Sequence, residues 1–395
     1  MRDGTLCVAL IGIGWAGTMH AKALNHLCNM DIVRKTVCAL EDTAGEFAAR
    51  YGFEGYTSRF EEVIADPEID VVDIVTPPNL HKEMTIVAVR AGKHVICEKP
   101  LLGYFGLPDD PPQIGAVSRE KMLLAVRREM DEMEAAIRES GKTFCFAANW
   151  LYSPAFVRAA QLIRARKTTV VQMQGLVGHK GSPAPYVRYW NRSGGGTLAR
   201  NMVHPLGAAL YLKRMEMEAR GLSFGVESVF CDCSQVTKEI ENRYIAANPV
   251  DTEDWAHVVY TFTDGTKAVL TAADTVLGEA RNTFDIYGND AVFHCNFSPS
   301  HLLDAYFSDE RGIESEEISE KSDHNLGHKY VGICEETIRG YYAEMQDFME
   351  CIRDGREPRA GFALAREATE LVQIAYCSAE QGRRVRIAQY APDLY

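Results

Sequence analysis

Three residues of this sequence combine the types and the spacing that proton transfer from a hydroxyl group requires. Lys99 follows a short apolar run, HVIC, and stands between Glu98 and Pro100. Arg200 and His204 are four residues apart, so on a helix they share one face, a turn apart. A histidine accepts a proton near neutral pH, and neighbouring cations stabilise the alkoxide that forms. We therefore predict a site in which His204 and Arg200 face Lys99 across a cleft.

The elements that would hold Lys99 begin with a glycine-rich turn near the N-terminus. The apolar run LCVALIG predicts a central parallel strand, and it leads into Gly12, Gly14 and Gly17, with Trp15 between them. Glycines at this spacing allow a tight turn, close approach of the backbone to a pyrophosphate, and close helix–strand packing. Because the pattern lies after a strand and before a helix, it predicts dinucleotide binding.

The residue that reads the adenosine ribose is expected about 20 residues beyond the last glycine. Cys38, Ala39 and Leu40 occupy that place, followed by Glu41 and Asp42. We predict that Glu41 accepts a hydrogen bond from the ribose 2′-hydroxyl, and no arginine marks a 2′-phosphate site, so NAD is favoured. The alternative is that Glu41 and Asp42 only cap the next helix, which leaves NADP open.

Loops at the carboxyl ends of two further strands are expected to complete the cofactor crevice. The strand VVDIV is followed by prolines, which exclude helix and shape a wall. We expect Asn79 to cap the next helix and His81 to be structural at its start, with a contact to cofactor or substrate as the alternative. The predicted cofactor contacts of these two loops are Thr76, Pro77, Asn79, His81, Glu98 and Lys99.

The order of predicted elements indicates an α/β fold of two domains. Residues 6–140 alternate strand and helix, which predicts an N-terminal Rossmann domain over residues 1–148. Residues 149–395 carry successive strands without intervening helices, so we predict an α/β domain with a large, mostly antiparallel open sheet. Residues 102–119 hold three glycines and three prolines and form a loop insertion of a length often found in lids.

The composition limits the classes of partner. The 395 residues are 46% apolar, and 55 acidic against 42 basic residues give a net charge of −13, which argues against nucleic acid or an anionic membrane and favours a small-molecule substrate. No apolar run is long enough to span a bilayer. The eleven cysteines are scattered, and Cys231 with Cys233 supplies only half of a zinc site, so we expect reduced thiols, a cytoplasmic location and no metal.

Together these motifs resemble the Gfo/Idh/MocA oxidoreductases, the family of glucose–fructose oxidoreductase and inositol dehydrogenase. The matching stretches are GIGWAGTMHAKAL, TPPNLH, CEKPL, GGGTLARNMVHP and EMQDFMECIRDGREP, which follow in order over nearly the whole chain. The resemblance implies a Rossmann domain, a second domain whose open sheet is often an oligomer interface, and NAD(P)-dependent oxidation of a ring hydroxyl in a sugar, sugar derivative or cyclitol.

The resemblance also implies roles for single residues. Lys99 matches the lysine that holds the reacting hydroxyl and lowers its pKa, and His204 matches the proton-accepting histidine. Arg200 departs from the pattern, because many relatives have an aspartate four residues before that histidine. The substrate is therefore not expected to be held as in a typical inositol dehydrogenase, and an arginine would suit either an acidic group or several hydroxyls.

Further substrate contacts are expected from loops that flank the Arg200–His204 helix, although each of these residues is as often structural. They are Asn149, Tyr152, His179, Lys180, Tyr186, Trp190 and Arg192. The aromatic content and the 102–119 loop favour a glycoside over a free monosaccharide.

Three functions stay open for these residues. The first is an NAD-dependent dehydrogenase, homo-oligomeric through its second sheet, with C3 as one candidate carbon. The second is a redox-assisted glycoside hydrolase or lyase that keeps NAD tightly bound. The third is a non-catalytic dinucleotide-binding sensor, against which the presence of Lys99 and His204 weighs.

Overall fold

A parallel sheet forms the first half of the protein, for which the computed structural model describes residues 4–40, 42–241, 244–246, 248–298, 303–314, 318 and 325–395. Glu41, our predicted ribose contact, lies outside the described residues. The strands are β1 (Leu6–Ile11), β2 (Ile32–Cys38), β3 (Gly55–Thr57), β4 (Val71–Ile74), β5 (His94–Cys97) and β6 (Phe144–Phe146). Their order is β3-β2-β1-β4-β5-β6, and all neighbouring pairs are parallel. This is the doubly wound order with a switch point between β1 and β4, which confirms the predicted Rossmann sheet.

Helices cover both faces of this sheet and leave its central strands buried. They are α1 (Trp15–Leu24), α2 (Ala44–Tyr51), α3 (Phe60–Ala65), α4 (His81–Arg90) and α5 (Arg119–Ser140), with a 3-10 turn at Pro78–Leu80. All residues of β4 are buried, as expected for a parallel strand covered on two sides. The short strand β3 was not predicted, because three residues with one exposed tyrosine carry no apolar pattern.

A second sheet follows in the chain. Its strands are β7 (Val170–Gly178), β8 (Val226–Ser234), β9 (Trp255–Phe262), β10 (Lys267–Ala273), β11 (Arg281–Gly288), β12 (Val292–Asn296) and β15 (Val385–Arg386), while β13 (Asp304–Phe307) and β14 (Gly327–Tyr330) form a separate pair. The order is β12-β11-β7-β10-β9-β8-β15, and every pair is antiparallel except β7 with β10. The predicted mostly antiparallel open sheet is therefore confirmed.

Helices near the C-terminus connect the two sheets. The second half contains α6 (Pro154–Arg166), α7 (Trp190–Ser193), α8 (Thr197–Asn201), α9 (Val203–Ala219), α10 (Glu335–Ile338), α11 (Tyr341–Asp354) and α12 (Phe362–Gln381), with 3-10 turns at Asn149–Tyr152, Pro185–Arg188 and Ile387–Gln389. A further 3-10 turn, Ile114–Ala116, precedes α5 in the first half. Helix α12 packs against β8 and also against α5, and α11 packs against α1. The apolar side chains of both halves form one continuous core. Our boundary between residues 148 and 149 therefore stays a prediction. Within the described part of the chain, no helix is both long and apolar enough to cross a bilayer.

The 102–118 segment between β5 and α5 bridges the two halves instead of standing free as a lid. A Cβ atom on Gly103 would lie 2.5 Å from the Cα atom of Gly194, so the two backbones touch. Asp251 accepts hydrogen bonds from the amides of Gly115 (3.1 Å) and Trp190 (2.7 Å). At the end of the segment, the Arg119 guanidinium lies 4.2 Å from the centre of the Trp190 ring. The first half is thus fastened to the glycine turn that precedes α8.

Candidate active site

The glycine turn after β1 fits a dinucleotide pyrophosphate. Gly12 has φ +104°, and a Cβ there would lie 2.9 Å from the Val75 carbonyl oxygen, while a Cβ on Gly17 would lie 2.5 Å from the carbonyl oxygen of Gly12. Side chains at these two positions are thereby excluded. Gly14 has no atom within 4 Å of its Cβ position and is exposed together with Trp15, so this side of the turn is open to a ligand. Backbone approach to phosphate at a helix N-terminus is what this arrangement allows.

The loop after β4 contributes exposed and enclosed residues. Pro77 and Asn79 are exposed and Thr76 is half-buried. Helix α4 begins after the 3-10 turn without a side-chain cap, so the predicted capping role of Asn79 is wrong.

His81 has a structural position. Its ring is fully buried, with Nδ1 3.0 Å from the carbonyl oxygen of Pro100 and Nε2 2.9 Å from that of Thr76. Because backbone carbonyl oxygens lie beside both ring nitrogens, the structure favours the expected structural role, and the contact to cofactor stays a prediction. His81 ties the loop after β4 to the loop that follows Lys99.

Lys99 lies at the junction of the two halves. Its Nζ atom donates to the backbone oxygen of Arg200 at 3.2 Å, and its backbone amide donates to the carboxylate of Glu98 at 2.7 Å. Glu98 is buried, and His20 on α1 places Nε2 3.5 Å from its Oε1 atom. Burial alone would raise the pKa of Glu98, but His20 and the Lys99 ammonium lower it, so the carboxylate is ionised at neutral pH.

Behind Glu98 lies a buried cluster of ionisable groups, which we call the His20 cluster: His20, Asp73, Glu98 and Glu344. Nδ1 of His20 is 2.9 Å from both carboxylate oxygens of Asp73. Burial would lower the pKa of His20, but Asp73 and Glu98 raise it well above its usual value. Burial raises the pKa of Glu344 well above its usual range, and the nearby carboxylates of Glu98 and Asp73 act in the same direction, so this carboxyl favours its neutral form. The cluster supports Lys99 from the side of the first sheet.

The helix that carries Arg200 and His204 is held at its beginning and interrupted in the middle. The carboxylate of Glu253 accepts the amides of Gly196 (3.1 Å) and Leu198 (2.8 Å) ahead of α8. Between α8 and α9 the chain keeps helical dihedrals at Met202. Pro205 lacks the amide that would bond one turn back, which accounts for the interruption.

His204 has the surroundings of a neutral base. It is 9% exposed, its ring stacks on Trp150 at 5.7 Å between centroids, and its Nδ1 atom has no hydrogen-bond partner among the described residues. Burial, followed by the positive charges of Lys99 and Arg339, lowers the pKa of His204 well below its usual value. The imidazole is therefore unprotonated at neutral pH and able to accept a proton. The structure brings the predicted pair Lys99 and His204 into one electrostatic environment.

Arg200 is paired with a carboxylate, whereas the sequence indicated only its positive charge beside His204. Its guanidinium forms a buried ion pair with the Oδ2 atom of Asp274, which directly follows β10. The Oδ1 atom of Asp274 accepts a hydrogen bond from Asn201 at 3.0 Å and lies 3.4 Å from Nδ1 of His179. Burial alone would lower the pKa of Arg200, but Asp274 raises it, so the guanidinium keeps its charge. Asp274, at the end of strand β10, supplies the carboxylate that is missing at position 200.

Two of the other predicted substrate residues are structural. Tyr152 is buried, donates to Asp347 at 2.9 Å and accepts the amide of Ala360 at 3.1 Å. Trp190 is buried between Arg119 and Tyr376. Neighbouring protein groups enclose both side chains, so their burial does not favour substrate contact, which stays a prediction.

The remaining predicted substrate residues divide by their distance from Asp274 and by exposure. His179 contacts Asp274, and half-buried Tyr186 is close enough for the charge of Arg200 to act on its pKa. Asn149 is buried beside Trp150, and its Oδ1 atom has no partner. Lys180 is half-buried, and Arg192 is exposed. Their contact with substrate stays a prediction.

Sequence reasoning missed three residues that shape this site: Trp150, Asp274 and Arg339. Trp150 follows the predicted Asn149 directly, so position along the chain was a usable signal. The Arg339 guanidinium lies 5.7 Å from the centre of the Trp15 ring and pairs with Glu335 at 2.9 Å. Arg339 is thus placed between the pyrophosphate turn and His204, although it is over 100 residues from either.

Comparison with known proteins agrees with this architecture. The model of the GFO/IDH/MocA oxidoreductase family with its NAD-binding Rossmann fold matches residues 6–104, and that of the GFO/IDH/MocA C-terminal domain matches residues 156–294. Levoglucosan dehydrogenase of Pseudarthrobacter phenanthrenivorans is 28% identical over 337 residues, covering 78% of this chain and 79% of its own. Myo-inositol 2-dehydrogenase of Thermotoga maritima is 24% identical and covers 97% of this chain and 98% of its own.

Solved structures show the same fold over the full length. GenD2 from gentamicin A biosynthesis, in complex with NAD, superposes with a TM-score of 0.76 at 22% identity, covering 97% of this chain and 96% of its own. Levoglucosan dehydrogenase with NADH and levoglucosan gives a TM-score of 0.71 at 23% identity, covering 97% and 99%. The two matching family models together span more than half of the sequence. The chain belongs to the GFO/IDH/MocA oxidoreductases, and its Rossmann domain binds NAD.

Proposed function

We propose that this protein is an NAD-dependent dehydrogenase that oxidises a ring hydroxyl of a sugar, glycoside or related polyol. In this proposal His204 accepts the hydroxyl proton and Lys99 polarises the hydroxyl. The observation that supports it best is the buried, neutral His204, whose pKa is lowered in part by the ammonium of Lys99. The two named relatives are dehydrogenases of levoglucosan and of myo-inositol, which is consistent with a polyhydroxylated ring as substrate.

The two side chains would divide the proton transfer between them. When bound, NAD would accept the hydride that leaves the carbon bearing the reacting hydroxyl. Lys99 donates a hydrogen bond to the hydroxyl oxygen and stabilises its negative charge, which increases the acidity of the hydroxyl. His204 has a low pKa and stays unprotonated at working pH, so it accepts the proton as the hydride departs. A weakly basic imidazole and an acidified hydroxyl are matched partners.

The experiment is NADH formation with a panel of sugars, glycosides and cyclitols that includes levoglucosan and myo-inositol. We expect turnover with at least one member, and a fall in kcat/KM of about 100-fold or more in Lys99→Met and His204→Asn. NAD affinity, measured by calorimetry, should change little in His204→Asn. If both variants retain wild-type turnover, the proposed roles are wrong. If an aglycone is released without net NADH, the protein is the redox-assisted hydrolase or lyase.

We also propose that the open face of the second sheet is an interface between copies of this chain. Cross-strand register places Phe230 opposite Val259 and Val259 opposite Val269, so three apolar side chains share one face. Phe230 is exposed, and the two valines are half-buried. Light scattering of the pure protein tests this, and a monomer would contradict it.

A further inference from the structure

The Arg200–Asp274 ion pair limits the charge that the substrate can carry at this site. Arg200 lies one helical turn from His204, and its backbone oxygen accepts the Lys99 ammonium at 3.2 Å. The pair is therefore part of the environment of the reacting hydroxyl. A single arginine there would attract a carboxylate or phosphate of the substrate, as the sequence allowed.

Asp274 supplies that anion from within the protein. It is 2% exposed, and its Oδ2 atom is occupied by Arg200. Its Oδ1 atom receives Asn201 at 3.0 Å and Thr197 at 3.5 Å. The carboxylate is thus fixed by groups on α8, on the same element as Arg200. A buried ion pair with additional hydrogen bonds on the carboxylate has no charge left to neutralise.

The other cation near His204 is compensated in the same way. Arg339 lies 2.9 Å from Glu335 in an ion pair, and His204 itself is neutral at pH 7. The Lys99 ammonium, which donates to the backbone oxygen of Arg200, is the cation assigned to the developing alkoxide. An acidic substrate group beside Arg200 would have to displace Asp274 or lie next to it, and two like charges at such distances repel each other.

We infer that the substrate is electrically neutral, and that Arg200, whose charge Asp274 compensates, recognises its hydroxyl groups rather than an acidic substituent. This inference rests on the proposed dehydrogenase function and specifies the substrate class of that site. A guanidinium has five N–H donors, and among the described residues the Nε atom of Arg200 has no hydrogen-bond partner, so Arg200 can donate to a substrate hydroxyl while Asp274 holds its other side. Asp274 acts as a specificity residue through Arg200.

The test compares two substrates that differ only in charge: the neutral sugar that the wild-type enzyme oxidises best, and the uronic acid of the same ring. The measured quantity is the ratio of kcat/KM for the neutral sugar to that for the acid. Because both substrates are assayed on one enzyme preparation, partial loss of folded protein cancels. We expect the wild type to favour the neutral sugar.

Asp274→Asn keeps the shape and an acceptor oxygen but leaves Arg200 uncompensated, so the ratio should shift towards the acid by about tenfold or more. Arg200→Met removes the attracting cation and should shift the ratio further towards the neutral sugar. The control is Asp285→Asn on β11, whose carboxylate pairs with exposed His294 at 2.9 Å, and it should leave the ratio unchanged.

A wild-type preference for the acid, or a ratio in Asp274→Asn within twofold of the wild-type value, would overturn the inference. If Asp274→Asn does not fold, Arg200→Met decides: a shift towards the acid, or no shift, contradicts it. A wild type that oxidises no member of the panel with NAD is a different outcome, because the proposed dehydrogenase function then fails and the inference about its substrate falls with it.

Discussion

Replacing His20 by asparagine separates the charge of the buried imidazole from its hydrogen bond. Nδ1 of His20 lies 2.9 Å from both oxygens of Asp73, and the ring is 1% exposed. An asparagine amide donates to Asp73 in place of Nδ1 but carries no charge. Asp73 and Glu98 then share a buried space without a cation between them, and Glu344, also buried there, offers no positive charge. We therefore expect His20→Asn to destabilise the protein.

The magnitude follows from burial and from the direction of the pKa shift. Removing one partner of a buried ion pair costs about 3–5 kcal/mol, and the retained hydrogen bond places His20→Asn near ~3 kcal/mol. The pKa of His20 is raised on folding, so its contribution to the free energy of unfolding is complete below about pH 6.5 and is lost as the pH rises through the raised pKa. Over that window the difference between wild type and variant shrinks by about 1.4 kcal/mol per pH unit.

The assay is thermal unfolding of both proteins from about pH 6 to about pH 9, with a Tm difference of roughly 3–4 °C expected at the acidic end for a chain of this length. His294→Asn is the matched control, because His294 is also 2.9 Å from an aspartate oxygen but its side chain is 70% exposed. This control should show no pH-dependent Tm difference. A His20→Asn difference that stays constant with pH, or grows as pH rises, would refute an imidazolium held by Asp73 and Glu98.

Further predictions concern the base, the turn and the connecting segment. Because burial and Lys99 lower the pKa of His204, kcat/KM should stay constant on acidification from pH 7 and fall only well below about 6.5; an acid limb at or above that value contradicts a neutral His204. Gly14→Ala should leave Tm unchanged and weaken NAD binding about tenfold, since its Cβ meets no atom of the described residues. Gly17→Ala should lower both Tm and NAD affinity, because its Cβ would lie 2.5 Å from the Gly12 carbonyl oxygen. Calorimetry measures the affinities and thermal unfolding the Tm values, and equal Tm losses would show that Gly14 is not on the ligand side. Asp251→Ala removes two hydrogen bonds to a carboxylate, so it should cost about 2–4 kcal/mol and raise amide exchange in residues 102–118 by mass spectrometry; unchanged exchange would mean that Asp251 does not fasten the segment.

The parts of the fold that could be predicted are those whose signal is local. The apolar run before Gly12 and the helix after Gly17 define strand, turn and helix within about 20 residues, and the close approach of Gly17 to the Gly12 carbonyl oxygen follows from that local geometry. Strand β3 and the pair β13 and β14 have three or four residues each, too few for a period to emerge. The packing of α12 against α5 depends on contacts over more than 200 residues of sequence, for which a single sequence carries no signal.

The same distinction applies to the site. Lys99 and His204 were predictable because each lies in a short motif that fixes its own element. Tyr152 and Trp190 also lie close to motifs in the sequence, yet their environments are set by Asp347 and by Arg119, which are distant in sequence. The sequence shows the same aromatic residue type whether its ring faces a ligand or another helix. Exposure is a property of the fold, and here it separates the two cases.

Arg200 shows that the residue type at one position does not determine the charge of a site. A guanidinium that is about one-tenth exposed requires a counter-charge within ion-pair distance, because the desolvation of an isolated buried cation is prohibitive. The sequence offers 55 acidic residues for that role, and nothing local distinguishes Asp274, 74 residues away at the end of a strand. Reversal of charge at position 200 therefore does not reverse the charge of the site, since the carboxylate is supplied from β10 in the same space. The pair, and not the residue, is the unit that determines which substrate charge is accepted.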